Sequence, residues 1–292
     1  MSGPFRPGER ALLLDAKGRR YLVALSKGGA FHSHNGVTSH DLVIGSPEGS
    51  TVRSTSGARY VAVRPTLSDV VLKMPRGAQV VYPKDLGAIL IQGDIFAGAR
   101  VLEAGVGSGA LSMAMLRAGA RVTGYEIRED FAAKALSNVR TFLNETLPDL
   151  EPDSEPDPAP CPEGAARGQV PGPVDDHFQV ECRDIYDGIG DNGWDRVILD
   201  LPEPWRVVAH AQEAMAPGGI FLAYLPTINQ TAQLRAELDI SRFGMAQTLE
   251  VLHRTWHIEG RSVRPDHRMV GHTGFLTHAR LLVVEPDLDR GP

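Results

Sequence analysis

From residue 84 onwards, short apolar runs alternate with longer amphipathic ones, and few folds are compatible with this alternation. The runs, in order, are KDLGAILIQGDI, RVLEAG, GALSMAMLRAG, RVTGYEI, EDFAAKALSNVRTFL, FQVECRD, DRVILD, WRVVAHAQEAM, GGIFLAYL and QTAQLRAEL. Alternating strand and helix patterns are typical of parallel strands joined by helical crossovers. TLEVLHRTWHI and FLTHARLLVV then follow as a predicted antiparallel pair. We therefore predict an α/β fold built on a mainly parallel sheet.

The start of the chain has a different pattern. It contains short β-rich runs between Gly, Ser and Asn turns, namely RYLVAL, STVRS and RYVAVRP, and no long helical pattern. We predict a small β-rich domain over residues 1–66 and a second domain over residues 67–292. Residues 1–66 carry nine Lys or Arg and four Asp or Glu, so this domain could face phosphates.

One segment of the second domain, residues 148–176, is acidic and rich in proline. It holds eight Asp or Glu, a single Arg and eight of the 21 prolines. So few apolar side chains cannot offset the entropy of ordering the segment. We predict a disordered insertion in a surface loop. Its net charge of −7 accounts for the −6 of the whole chain, and the other residues sum to about +1.

Several classes of protein are disfavoured by composition. No apolar stretch is long enough for a membrane span, and the N-terminus lacks the features of a secretory signal, so we expect a cytoplasmic protein. His32, His34 and His40 have no cysteine close in sequence to complete a metal site. We therefore predict no metal.

The segment VLEAGVGSGALS, residues 101–112, is a hydrophobic strand that runs into a glycine-rich turn opening a helix. Glycine permits a tight turn and close approach of the backbone to a ligand. Gly105, Gly107 and Ala110 also fit the G-x-G-x-x-A dinucleotide fingerprint, so the loop leaves NAD and S-adenosylmethionine both open. A purely structural turn is a third possibility.

Acidic residues at the ends of three strands bear on that choice. Glu103 would meet a cationic group such as a methionine ammonium and would repel a pyrophosphate, so it favours S-adenosylmethionine. Glu126 suits a ribose of either cofactor. Asp184 could accept a hydrogen bond from an adenine amino group, or could simply cap a turn. A short-chain reductase would have Tyr-x-x-x-Lys, which the sequence lacks.

The fourth strand delivers Asp200 to the same edge of the sheet in DLPEPW, residues 200–205. An acid followed by prolines and an aromatic suits a site that grips a nucleic-acid base. The alternative is an Asp in a proline-bounded turn, with Trp205 in the core. Near the C-terminus, His272 and Arg264 are candidates for RNA contact.

These blocks together resemble the tRNA adenine-N1 methyltransferases that modify adenine 58 of the T-loop. The similar blocks are MPRGAQVVYPKD at 74–85, VLEAGVGSGALS, GYEIRED at 124–130, DLPEPW and RPDHRMVGHTGFL at 264–276. They occur in the family's order over nearly the whole chain. DAKGRRYLVALSKGGAFHSHNG is most similar to actinobacterial members, whereas the acidic insertion at 148–176 departs from the family pattern.

The resemblance implies a seven-stranded, Rossmann-like class I methyltransferase domain with a small N-terminal β domain. It also implies a homotetramer that binds tRNA across subunits. Asp200 would lie between the methyl donor and the base, and Tyr82 would flank the flipped adenine. The residues implied to bind S-adenosylmethionine are Glu103, Gly105, Gly107, Ser108, Gly109, Ala110, Leu111, Glu126, Asp184 and Asp200.

Three alternatives stay open from the sequence. They are a small-molecule methyltransferase on the same fold, an NAD-dependent oxidoreductase and a non-catalytic RNA-binding subunit. The basic N-terminal domain disfavours the first, Glu103 the second, and the intact glycine loop with Asp200 the third.

Overall fold

The computed structural model describes residues 3–74, 79–146 and 177–283. The described residues divide into two compact units, residues 3–74 with 141–146 and residues 79–140 with 177–283. The helix Glu129–Thr146 has residues in both units and is described with the second. The predicted boundary between residues 66 and 67 stays a prediction. The predicted insertion at 148–176, and residues 75–78 of the MPRGAQVVYPKD block, lie outside the described residues.

The first unit is rich in β structure, as predicted. Its strands are β1 (Arg10–Asp15), β2 (Arg20–Ala24), β3 (Ala30–Ser33), β4 (Gly36–Ser39), β5 (Thr51–Arg53) and β6 (Arg59–Val63). An antiparallel sheet has the order β2-β1-β6-β5, and β3 pairs with β4. Helix α1 (Leu67–Lys73) follows and begins with a capping box between Thr66 and Asp69.

The second unit alternates helices and strands, and the alternation matches the sequence pattern. Its elements are α2 (Pro83–Gln92), β7 (Arg100–Ala104), α3 (Ala110–Arg117), β8 (Arg121–Glu126), α4 (Glu129–Thr146), β9 (Phe178–Cys182), β10 (Trp194–Leu199), α5 (Val208–Ala214), β11 (Met215–Leu225), α6 (Ile228–Asp239), β12 (Phe243–Glu250), β13 (Trp256–Glu259), β14 (Ser262–Pro265) and β15 (Phe275–Leu281). Among the described helices, none is both long and apolar enough to cross a membrane.

Seven of these strands form one sheet in the order β12-β15-β11-β10-β7-β8-β9. The strands β7 to β11 pair in parallel, and β15 runs antiparallel to both β11 and β12. The predicted parallel sheet with an antiparallel pair is therefore confirmed. From β7 the chain continues to β8 on one side, whereas β10 lies on the other side. A change of direction of this kind opens a crevice at the carboxyl ends of the strands.

One strand prediction was wrong. TLEVLHRTWHI was expected to be a single strand, but β12 ends at Glu250, which is paired with Phe275. Because Phe275 is the first residue of β15, β12 has no partner beyond that point. The residues from Trp256 instead form a separate antiparallel hairpin of β13 and β14.

Candidate cofactor and substrate site

The glycine loop joins β7 to α3 at the crevice. Gly105, Gly107 and Gly109 have φ values of +82°, +57° and +80°, a region that L side chains rarely adopt. A Cβ atom on Gly105 would collide with the carbonyl oxygen of Asp200. Glycine is therefore required where the loop passes the end of β10. Gly109 is the N-cap of α3, and Ala110 and Leu111 form its buried first turn.

Glu103 lies inside β7 and is only 1% exposed. Its Oε2 accepts a hydrogen bond from Ser112 Oγ at 2.5 Å, whereas its Oε1 finds no partner among the described residues. Burial raises the pKa of this carboxyl to about 8, against a partial lowering by the Ser112 hydrogen bond. Glu103 is therefore a buried acid with one oxygen left to accept.

Glu126, at the end of β8, fixes the glycine loop directly. Its Oε2 accepts from the Gly107 N–H and its Oε1 from the Arg128 N–H, each at 3.0 Å. A carboxylate offers about four lone-pair sites, so both oxygens can still accept from a hydroxyl donor. Glu126 can thus orient the loop and bind a ligand at once.

Asp184 and Ser108 were both predicted to bind the cofactor, and they differ in their hydrogen bonding. Asp184 caps a short 3-10 turn, since its Oδ1 accepts from the Tyr186 N–H at 2.9 Å. The capping role considered from the sequence is therefore present, and the carboxylate keeps further capacity to accept. Ser108 is buried, and its hydroxyl is unpaired within the described part of the chain. Asn138 Nδ2 donates to the Ser108 carbonyl at 3.0 Å.

Asp200 follows β10, and its N–H donates to the carbonyl of Ala104 at 2.9 Å. Burial raises the pKa of its carboxyl to about 7. The negative charges of Asp200 and Glu126 both add to the raised pKa of Glu103, after its own burial. Glu103, Glu126 and Asp200 thus lie at or next to the carboxyl ends of three neighbouring strands, β7, β8 and β10.

Tyr82 and Tyr224 are neighbouring tyrosines, and the sequence indicated only Tyr82; Tyr224 adjoins Asp200, because Leu199 pairs with Ala223 on the neighbouring strand. Tyr82 is the N-cap of α2, where its carbonyl accepts from the N–H groups of Asp85 and Leu86. Tyr224 lies in β11 and is buried; burial raises its pKa to about 12, and the charges of Asp85, Asp200 and Tyr82 raise it further. Tyr224 was missed because it lies within the apolar run GGIFLAYL.

Trp205 lies apart from this tyrosine pair. It is partly buried and packs against the hydrophobic core that includes Ile185 and Val207. This contact matches the alternative considered from the sequence, in which Trp205 belongs to the core. The DLPEPW loop is also held by Gln230, whose Nε2 donates to the Pro202 carbonyl at 2.9 Å, and by Tyr186, whose hydroxyl accepts from the Glu203 N–H at 3.2 Å.

His272, a candidate for RNA contact, is engaged within the chain. Its Nδ1 is 2.7 Å from Glu250 Oε1 and its Nε2 is 2.7 Å from the Pro226 carbonyl. Both partners are acceptors, so the imidazolium form satisfies both contacts. The hydrogen bond to Pro226 and then that to Glu250 raise the pKa of His272. Within residues 3–74, 79–146 and 177–283, no group of three or more His, Cys, Asp or Glu side chains is arranged to hold a metal ion.

The sheet order, the glycine loop and the acids at the strand ends define a class I methyltransferase that uses S-adenosylmethionine. Solved structures agree with this class. A SAM-dependent O-methyltransferase from Thermotoga maritima is 28% identical with a TM-score of 0.83, covering 98% of this chain and 97% of its own. The tRNA (m1A58) methyltransferase TrmI from Aquifex aeolicus is 26% identical with a TM-score of 0.76, covering 96% and 100%.

Sequence comparisons specify the family. Residues 3–52 match the TrmI-like N-terminal family, and residues 59–146 and 171–264 match the family of the tRNA methyltransferase complex GCD14 subunit. A tRNA (adenine(58)-N(1))-methyltransferase TrmI of Thermus thermophilus is 34% identical over 92% of this chain and 95% of its own length. The tRNA (adenine(57)-N(1)/adenine(58)-N(1))-methyltransferase of Methanocaldococcus jannaschii is 30% identical over 92% and 94%. The chain belongs to the tRNA adenine-N1 methyltransferase family.

Proposed function

We propose that this chain transfers the methyl group of S-adenosylmethionine to N1 of adenine 58 in the T-loop of tRNA. The observation that carries the proposal is a glycine loop flanked by three acids in a chain of this family: Glu126 accepts from the Gly107 N–H, Gly105 lies against the Asp200 carbonyl, and Glu103 is buried in the preceding strand. A polar site of this kind suits a cationic cofactor and a base whose charge becomes positive.

The residues present fit this cofactor. The free Oε1 of Glu103 would accept from the methionine ammonium, and the unpaired hydroxyl of Ser108 offers a further buried polar group. Glu126 would accept from the ribose hydroxyls and Asp184 from the adenine amino group. A pyrophosphate would bring no positive charge to offset the burial of Glu103, whereas a methionine ammonium would, and this argues against the NAD-dependent alternative.

The reaction requires little proton transfer by side chains of this protein. S-adenosylmethionine supplies an electrophilic methyl group on a sulfonium, and neutral adenine carries a free lone pair on N1. No general base has to remove a proton first. Asp200 would accept a hydrogen bond from the adenine N6 amino group, and this bond strengthens as positive charge develops on the ring. The ionised form of Asp200 is therefore the active one.

Tyr82 and Tyr224 are the groups we propose to flank the base. A T-loop adenine has to leave its stack to reach the crevice, and an aromatic wall offsets part of the lost stacking. Tyr82 would present its ring, whereas the buried Tyr224 would present its hydroxyl beside Asp200. Alignment of N1, methyl and sulfur by these side chains would supply much of the acceleration.

The assembly we propose is a homotetramer, and the proposed tRNA substrate implies a cytoplasmic enzyme. Support for self-association comes from the β13–β14 hairpin. Trp256, Ile258 and Val263 share one face of it and are 56%, 73% and 61% exposed. The opposite face carries His257 and Arg264. An apolar face of this kind suits burial against a second copy of the chain.

The test is nucleoside analysis of unmodified tRNA after incubation with the purified enzyme and S-adenosylmethionine. We expect 1-methyladenosine in wild-type tRNA and none in a tRNA with guanosine at position 58. A D200N variant should bind cofactor but methylate slowly. Absence of 1-methyladenosine from a correctly folded tRNA would exclude the assignment, and methylation of the position-58 variant would exclude the proposed site.

A further inference from the structure

A closed set of hydrogen bonds lies next to the tyrosine pair. Lys84 Nζ donates to Asp85 Oδ1 at 2.7 Å, to the Val251 carbonyl at 2.7 Å and to Thr273 Oγ1 at 2.6 Å. Thr273 Oγ1 donates in turn to Asp85 Oδ2 at 2.7 Å. The Lys84 side chain is 6% exposed and that of Asp85 is 0% exposed. All three ammonium protons therefore have acceptors, and both carboxylate oxygens have donors.

This network joins three segments that are far apart in sequence. Lys84 and Asp85 lie in the first turn of α2, Val251 follows β12, and Thr273 precedes β15. The segments meet at Tyr224. The backbone at Gly274, next to Thr273, lies so close to the Tyr224 ring and hydroxyl that a Cβ atom there would collide with both.

The same network also fixes Tyr82. The Asp85 N–H donates to the Tyr82 carbonyl at 2.8 Å, so the residue that carries the buried carboxylate also holds the backbone of the N-cap. Tyr224 and the backbone of Tyr82 are thus both held next to one polar cluster. Their anchoring does not depend on the glycine loop or on Glu103, which lie at β7 and α3.

A structural explanation alone is weak for such a cluster. Burying an ion pair costs desolvation, and apolar residues of similar volume often stabilise a fold as well or better. What a saturated polar cluster offers over apolar packing is a single defined geometry, because each bond fixes a direction. That property is of use where side chains must be held beside a reacting atom.

We infer that Thr273, Lys84 and Asp85 are positioning residues for methyl transfer, which hold Tyr224 in place beside Asp200 and fix the backbone at Tyr82. The inference rests on the proposed function. The network touches neither cofactor nor base in this assignment; it acts through the two tyrosines. Its loss should therefore slow the chemical step and leave cofactor affinity unchanged.

Thr273 offers the sharpest test, because its substitutions are neutral and small. Thr273→Val keeps the shape and removes the hydroxyl, whereas Thr273→Ser keeps the hydroxyl. We expect the single-turnover methylation rate of the valine variant to fall about tenfold, because one hydrogen bond is lost. The rate of the serine variant should stay near that of the wild type. The affinity for S-adenosylmethionine should be the same in all three. Thr273→Ala, measured beside them, controls for bulk and should show the same loss as valine.

A double-mutant cycle identifies the route of the effect. If Thr273 acts through the Tyr224 hydroxyl, Thr273→Val should cost little further rate in a Tyr224→Phe background. A merely structural role would lower the melting temperature and cofactor affinity together and would leave the two substitutions additive. If the wild-type enzyme makes 1-methyladenosine but the valine, alanine and serine variants methylate at equal rates, the inference fails and the proposed function stands. If the wild-type enzyme makes no 1-methyladenosine, the proposed function and the inference both fail.

Discussion

Replacing Glu103 by glutamine should make the protein more stable at neutral and alkaline pH while it abolishes tight cofactor binding. The pKa of Glu103 is raised from 4.5 to about 8 by burial. The folded chain therefore holds this proton more tightly than the unfolded chain does. Stability from this group is fully present below pH 4.5 and is lost as pH rises towards 8, because ionisation then favours unfolding.

The magnitude follows from the size of this shift. Each pKa unit corresponds to about 1.4 kcal/mol, so the rise from 4.5 to about 8 is worth roughly 5 kcal/mol in all. Of this, roughly 3.5 kcal/mol of the free energy of unfolding is lost between about pH 5 and about pH 8 as Glu103 ionises. Glutamine keeps the shape of the side chain and can still accept from Ser112. For a chain of this size, the melting temperature of the variant relative to wild type should rise by on the order of 10 °C over the same interval.

Denaturant or thermal unfolding of both proteins across this pH range measures the effect. Asp239→Asn, at the exposed end of α6, is the matched control for loss of a carboxylate outside the site. Calorimetry should show that Glu103→Gln weakens S-adenosylmethionine binding roughly 10- to 100-fold, the value of a hydrogen bond to a charged group. A stability difference between Glu103→Gln and wild type that does not change with pH would refute the reasoning.

Three further predictions follow from the site and its surroundings. Asp200→Asn should lower kcat on the order of a hundredfold. The pH profile of kcat/KM should also lose its rising limb near pH 7, because the wild-type carboxyl ionises there; if the limb stays, it belongs to another group. His272→Ala should destabilise the protein at acidic pH and have less effect as pH rises past the raised pKa of His272, since the imidazolium donates to Glu250; melting curves over pH check this, and a constant loss contradicts it. Trp256→Ser with Ile258→Ser should reduce the mass measured by light scattering, and an unchanged assembly would exclude this hairpin face as an interface.

The sheet and most of the site could be predicted because both depend on periodic patterns and strand ends. Parallel strands bring their carboxyl ends to one edge of the sheet. Glu103, Glu126 and Asp200 were therefore expected to meet there, whatever the structure of the other segments. In the structure these residues stand at or next to the ends of the neighbouring strands β7, β8 and β10. The three glycines were identified for a similar reason, since a strand that turns straight into a helix needs left-handed backbone.

Residues whose role depends on contacts between distant segments could not be predicted. Tyr224 lies in an apolar run that any core strand could have, and only the packing of Gly274 against its ring shows its place in the site. In the sequence, Lys84 is an ordinary lysine in the first turn of a predicted helix. In the structure its ammonium donates hydrogen bonds to Val251 and Thr273, which are more than 160 positions away. The β13–β14 hairpin was missed because its alternation continued the pattern of β12, and the length of β15 decides where β12 ends.

The cofactor and the base differ in how their charge changes during the reaction, and the two buried acids Glu103 and Asp200 respond to them differently. A buried carboxyl with a raised pKa, as at Glu103, gains most from a permanent cation, because a neighbouring positive charge removes the penalty of ionisation. Asp200, which ionises near neutral pH, faces an uncharged ring before transfer and a cationic ring after it. The interaction of its carboxylate with the base therefore strengthens along the reaction, whereas that of Glu103 with the ammonium does not change. Glu103 should then govern cofactor affinity and Asp200 the rate of methyl transfer.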